Sequence, residues 1–216
     1  MQVKGLTFFL DLIIVMDHVN LREKMMDCLM PLDRRVFLWI NNQWANRYLD
    51  VFFPAITWLG NGLIIFAVVA IFFAVKRPAY LYQHLPWIIG VLLVNALCVF
   101  ALQRMISRPR PLADLAPLIE AGKVHIHVLG KQLWYRSFPS GHTQTVFAAG
   151  VYLSLLQRRW TPFFLSLAIV VGLSRIYMGV HFPLDVLGGG LIGVALASGT
   201  WRLRKKTAHP TCFSAN

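Results

Sequence analysis

Acidic residues are scarce in this chain of 216 residues, where nine Asp and Glu face 21 Lys and Arg and leave a formal net charge of +12. Downstream of Glu120 only one carboxylate remains, Asp185. So thin a supply leaves that half of the chain without the cluster of carboxylates that would hold a magnesium ion. Cysteine is equally sparse: Cys28, Cys98 and Cys212 are scattered, odd in number and without zinc-type spacing, so neither a disulfide framework nor a zinc site is expected. Charged residues make up 14% of the chain and hydrophobic ones 57%, too apolar a balance for an ordinary soluble domain. The basic excess does not imply nucleic acid, because the positive residues flank apolar stretches and form no basic helix with stacking aromatics.

What the chain has in quantity is apolar sequence free of Asp, Glu, Lys and Arg, at 51–75, 85–103, 138–157, 160–174 and 186–201. These windows approach the roughly 20 residues that a spanning helix requires. The last two reach full length only if Arg175 and Asp185 lie near one membrane face. The expectation is an all-α, polytopic membrane helical bundle of five spans, with a sixth if the apolar stretch 6–16, broken by Asp11, also crosses. That stretch could instead be a surface helix; a signal peptide fits it less well, since Asp11 interrupts the apolar core and no small-x-small cleavage pattern follows. Residues 31–50, with Leu32, Val36, Phe37, Ile40, Trp44 and Tyr48 set among Asp33, Arg34, Arg35 and Arg47, predict an amphipathic helix at the interface. The chain then divides into an N-terminal segment 1–50, a membrane domain 51–201 and a basic tail 202–216. Gly189 and Gly193 give the last span a small-residue face that lets another helix approach closely.

Lys76, Arg77, Arg158, Arg159 and the tail residues Arg202, Arg204, Lys205 and Lys206 fall on one side of five alternating spans, which makes that side cytoplasmic. The opposite loop, 104–137, carries Arg104, Arg108, Arg110, Lys123, Lys131 and Arg136, suited to holding phosphate or meeting anionic headgroups. Within it, 124–128 alternates like a strand, and Gly130 could turn it into a hairpin with 132–135. A metal role for His125 and His127 lacks a third ligand. Trp134, Tyr135 and Phe138 read as interface anchors.

Three polar segments interrupt this apolar background. Asp185 stands four residues after His181 and, behind Pro183, falls in the first turn of a helix, from which it can reach back to the imidazole. A neutral imidazole is a competent nucleophile when a carboxylate holds its other nitrogen. The plainer reading is an acid stabilising a helix N-terminus beside an interfacial histidine. Pro139-Ser140-Gly141-His142 either simply starts a helix or cups an anion there, with His142 as general acid. Arg108-Pro109-Arg110-Pro111, taken alone, is a basic loop exit.

In order and spacing the three segments resemble the type 2 phosphatidic acid phosphatase (PAP2) family, whose signature is Lys, six residues, Arg-Pro; then Pro-Ser-Gly-His; then Ser-Arg, five residues, His, three residues, Asp. The last two motifs match at every specified position, and the resemblance covers about 50–201. It implies that His181 is a nucleophile forming a phosphohistidine and that Asp185 orients it. His142 would protonate the leaving group and then activate water, while Arg110, Arg175, Ser140 and Gly141 hold the phosphoryl oxygens, without metal or cofactor. The one departure is Gln103, which stands where the family has lysine; Arg104 beside it points about 100° away on a helix. The implied activity is hydrolysis of a terminal phosphate or pyrophosphate of a lipid, such as undecaprenyl pyrophosphate, phosphatidylglycerol phosphate, phosphatidic acid or lipid A 1-phosphate. A phosphotransferase using the same intermediate and a catalytically weakened lipid-binding relative are the alternatives; a vanadate-dependent haloperoxidase has similar motifs but is soluble. The expected partners are a lipid phosphate and the bilayer. The expected setting is a bacterial cytoplasmic membrane, with the site facing the periplasm or exterior and the C-terminus cytoplasmic.

Overall fold

The computed structural model describes residues 21–62, 64, 67, 71 and 78–207. The stretch 6–16, Lys76, Arg77 and Cys212 lie outside the described residues. The chain divides into two compact units, Met1–Val36 and Phe37–Asn216. The described part of the first is the body of helix α1 (Leu21–Leu38), which contains Pro31.

The described elements of the second unit are all helical, joined by loops of which 121–140 is the longest described. A π-helical turn, Trp39–Gln43, leads to α2 (Arg47–Thr57) and a 3-10 turn, Trp58–Gly60. Then come α3 (Pro78–Ile106), two short helices α4 (Pro111–Asp114) and α5 (Ala116–Glu120), and the three helices α6 (Gly141–Leu156), α7 (Thr161–Tyr177) and α8 (Pro183–Thr207). Proline in the first turn opens α4, α5 and α7, where a missing N–H is harmless, and Pro183 does the same for α8.

Among the described residues three stretches are long and apolar enough to cross a membrane: Tyr82–Glu120, Arg158–Tyr177 and Pro183–Thr207. Of the five windows expected, 51–75 runs partly outside the described residues, and its described start holds α2 and the turn Trp58–Gly60. The window 138–157 forms α6, only 16 residues long and enclosed by α3, α7 and α8. Its Val146, Ala148, Ala149, Tyr152 and Leu153 are buried, so its apolar character serves the protein interior. On α3, by contrast, Leu93, Val94, Leu97 and Phe100 are exposed, the pattern of a helix facing lipid.

The small-residue face of the last helix works as expected. A Cβ added at Gly189 would come within 2.7 Å of the Ser140 carbonyl oxygen, and one at Gly193 would collide with the Gln144 carbonyl. The two helix backbones therefore touch along this seam.

Two local expectations are corrected. Residues 31–50 are not one interfacial helix, because the Asn46 side chain accepts the N–H groups of Tyr48 and Leu49, each at 3.0 Å, and starts α2 anew. Asn41 is fully buried rather than interfacial: its amide donates to the carbonyls of His127 and Tyr177, both at 2.7 Å, and accepts the His127 N–H at 2.8 Å. The hairpin at 124–135 does not form either, since these backbone groups have other partners. Asn42 donates to the His125 carbonyl at 3.0 Å, and the Leu129 N–H donates to the Met178 carbonyl at 3.3 Å. The extended segment thus lies against the turn that follows α7. His127 joins it to α2, its Nε2 lying 2.8 Å from Asp50 Oδ1, which also accepts the Tyr177 hydroxyl at 2.6 Å. The hydrogen bonds from Tyr177 and His127 hold the Asp50 carboxyl below its usual range.

Candidate active site

The C-terminal ends of α3 and α7 and the N-terminal ends of α6 and α8 bring the three polar segments together. His181 sits in the turn between α7 and α8, where Val180 and His181 both donate their N–H to the Arg175 carbonyl, at 3.2 and 3.3 Å. Gly179 makes this turn possible: its φ is +75°, and a Cβ there would come within 2.8 Å of the His127 carbonyl oxygen.

His181 is almost wholly buried, and its two ring nitrogens meet different partners. Nε2 lies 3.2 Å from Nη1 of Arg110. A guanidinium can only donate, so Nε2 presents a lone pair and the neutral ring carries its proton on Nδ1. Nδ1 faces Oδ2 of Asp185 at 3.7 Å and has no hydrogen-bond partner. Burial pushes the imidazole down to about 4; Asp185 opposes this shift, and Arg110 and Arg175 reinforce it.

Asp185 lies in the first turn of α8 with no exposed surface. Its Oδ1 is 2.6 Å from Nη1 of Arg108. Oδ2 accepts the Ser137 hydroxyl at 2.5 Å and the Phe182 N–H at 2.8 Å. Its backbone carbonyl takes the Ser140 N–H at 3.0 Å, which locks the start of α6 against the start of α8.

Arg110 and Arg175 are both buried. Arg110 is braced by carbonyls, with Nη1 to Val180 at 2.9 Å, Nε to Tyr135 at 2.9 Å and Nη2 to Arg136 at 3.2 Å. Arg175 donates through Nη1 to the Thr57 hydroxyl at 2.9 Å, while its Nε has no partner. Ser140 takes no backbone N–H of α6 on its side chain and instead accepts the Thr143 hydroxyl at 3.0 Å. It precedes Gly141 and the first-turn N–H groups, which have no intrahelical partners. His142 packs on Gly60, where a Cβ would come within 2.7 Å of its own Cβ. Arg175, His181 and Arg110 all act on it electrostatically.

Buried His181, half-buried His142, two buried arginines and a helix N-terminus thus share one end of an apolar bundle, the arrangement expected of a phosphoryl site. A family model described as the PAP2 superfamily matches residues 54–208. The chain belongs to the PAP2 superfamily. The PAP2 fold is also seen in solved structures. That of Aquifex aeolicus LpxE is 32% identical, with a TM-score of 0.64, over 78% of this chain and 93% of that one. That of a transmembrane PAP2 type phosphatidylglycerolphosphate phosphatase from Bacillus subtilis shares the fold at 21% identity, with a TM-score of 0.66, over 95% and 96% of the two chains. Phosphatidylglycerophosphatase B of Bacillus subtilis is 32% identical over 106 residues, which are 44% of this chain and 45% of that protein. Across six curated relatives the matched stretches make up 25% to 45% of those proteins, less than half their length.

Within this PAP2 site, Gln103 stands apart from the other expected residues. Its Nε2 donates to the Pro139 carbonyl at 3.0 Å, bracing the loop before Ser140. Arg104 does not replace the missing lysine, for its guanidinium stacks on Phe100 at 4.0 Å on the exposed side of α3. Sequence reasoning missed three contributors. Arg108 was hidden beside Arg110 in one basic tetrapeptide, and Ser137 stood two residues before a motif that seemed complete. Thr57 carried no signal, because it lies 118 residues from the arginine it holds.

Proposed function

We propose that this protein is a membrane lipid phosphatase that removes a terminal phosphate or pyrophosphate group through a phosphohistidine on His181. The observation that carries the reading is the opposed environment of the two ring nitrogens, with Nε2 open as a lone pair beside Arg110 and Nδ1–H facing buried Asp185. In the first step Nε2 attacks phosphorus, the bond from phosphorus to the leaving oxygen breaks, and His142 gives that oxygen a proton. The ring becomes cationic, and Asp185 stabilises its Nδ1–H. In the second step His142 takes a proton from water, whose oxygen attacks phosphorus. The P–N bond breaks, and inorganic phosphate leaves with His181 neutral again. Arg110, Arg175, Ser140 and the backbone at Gly141 hold the phosphoryl oxygens as charge shifts among them.

The relatives' names, among them a phosphatidylglycerophosphatase, favour a lipid phosphate as substrate. The spread of basic residues favours a site on the outer face of a bacterial cytoplasmic membrane with the C-terminus inside. Gln103 favours one second reading, a weakened relative that binds lipid phosphate and turns it over poorly, because its amide brings no charge to the clamp.

One panel tests both. Phosphate release in detergent from phosphatidic acid, phosphatidylglycerol phosphate, undecaprenyl pyrophosphate and lipid A is expected from the parent and absent from His181→Ala, with an acid-labile phosphoryl label trapped on the parent alone. Unchanged release by a folded His181→Ala variant removes the nucleophile. An inert parent restored by Gln103→Lys establishes the weakened relative. Phosphoryl transfer to an added lipid alcohol would identify a phosphotransferase.

A further inference from the structure

The tetrapeptide Arg108-Pro109-Arg110-Pro111 holds two arginines that reach opposite sides of one imidazole. Arg110 approaches Nε2, the reacting nitrogen. Arg108 instead meets the carboxylate behind Nδ1, with Nη1 2.6 Å from Asp185 Oδ1 and its guanidinium 4.7 Å from the centroid of the Phe182 ring. Its ion pair with Asp185 gives it a route toward the reaction through that carboxylate.

We infer that Arg108, with Ser137, is a positioning residue of the phosphoryl site, acting on His181 through Asp185 and taking no share in holding phosphate; this rests on the phosphohistidine reading above. Asp185 is fully enclosed, and its side chain accepts from three groups that leave little freedom to rotate: Arg108 on Oδ1, and Ser137 Oγ and the Phe182 N–H on Oδ2. The two positioning residues are also joined to each other, because the Ser137 N–H donates to the Arg108 carbonyl at 2.8 Å. The carboxylate is thus aimed before substrate arrives. It sits 3.7 Å from Nδ1, a distance that a small shift of the imidazole can close.

Charge explains why an arginine suits this place. A carboxylate this deeply buried needs a cation to remain ionised, and an ionised Asp185 is what the cationic phosphohistidine requires. A carboxylate that accepted the Nδ1 proton would leave the ring less able to carry phosphorus. Arg108 holds that proton on His181 by keeping Asp185 negative, and the stacking on Phe182 fixes the direction from which it does so. Phe182 follows His181 directly in the chain, so one aromatic ring ties this arginine to the nucleophile's own turn.

The test separates holding phosphate from aiming the nucleophile. The parent, Arg108→Gln, Arg108→Lys, Ser137→Ala and Arg110→Gln are purified in detergent, and kcat and KM are measured with the best lipid of the panel. Binding of inorganic orthovanadate is measured in parallel by its protection against thermal unfolding. Arg108→Gln is expected to lower kcat roughly 10- to 100-fold, the loss typical of a misaligned reacting group. Its KM and its vanadate midpoint should stay with the parent. Arg108→Lys keeps the charge without the planar fork and should recover part of kcat. Arg110→Gln should weaken vanadate protection strongly. Ser137→Ala, a smaller change, should repeat the Arg108→Gln pattern in milder form and carries the test if that variant does not fold. A vanadate midpoint shifted alike by Arg108→Gln and Arg110→Gln would make Arg108 a phosphate ligand and overturn the inference. A parental kcat in both Arg108→Gln and Ser137→Ala would also overturn it. A parent that binds vanadate but releases no phosphate defeats the proposed function, while the contrast between the two arginines in vanadate binding still decides whether Arg108 holds phosphate.

Discussion

At the scale of single residues, the site rests on what surrounds one imidazole. His181 lies so deep that its ring is pushed from 6.5 to about 4, so a neutral imidazole, the form that the proposed nucleophile needs, prevails at every pH above that value. The acid limb of kcat/KM is therefore expected near pH 4, and a limb near pH 6.5 would show that the ring is not desolvated as described. Stability follows the same sign. Between pH 6.5 and 4 the unfolded chain takes up a proton that the folded site refuses, so the contribution is complete above that window and falls as pH drops through it. His142, His181 and Asp185 were legible in the sequence because the chemistry of each depends on near neighbours: a helix start, a turn and a spacing of four. Arg108 was visible only as an undifferentiated positive charge. Two residues apart on an extended segment, equal charges can face different groups, and spacing alone does not say which.

At the scale of elements, α6 shows what an apolar window leaves open. Its composition matches that of a spanning helix, yet its side chains fill the interior between α3, α7 and α8, and hydropathy cannot distinguish a lipid neighbour from a protein one. The hairpin expectation failed for a related reason. Alternation reports that a segment is extended, whereas its backbone partners here are asparagine side chains and a loop carbonyl. The glycine seam on α8 was read correctly, since small residues four apart on a helix carry their own geometric meaning. Gly193→Val would force a branched side chain onto the Gln144 carbonyl. It is expected to destabilise the protein by about 1–3 kcal/mol, as overpacking does, and thermal unfolding in detergent would measure this. Activity should fall with it, because the same seam sets Ser140 against Asp185.

At the scale of the whole molecule, the helical class and the membrane setting could be anticipated from where polar residues interrupt apolar ones. Which helices have lipid for neighbours could not, because hydropathy alone does not distinguish lipid from protein. The contacts that close the site are also distant in sequence: Arg108 meets Asp185 across 77 positions, and Thr57 meets Arg175 across 118. This has a consequence for biogenesis. As the chain emerges from the ribosome, Thr57 and Arg108 reach the membrane well before Arg175 and Asp185, the residues that each meets in the folded protein. A nascent chain halted after Tyr177 is therefore expected to be cleared faster than the full chain in a pulse-chase experiment. Equal lifetimes would mean that the early helices settle without their late counter-charge. Faster clearance would mean that quality control in the membrane reads the late contact of Arg108 with Asp185 as a sign that synthesis is finished.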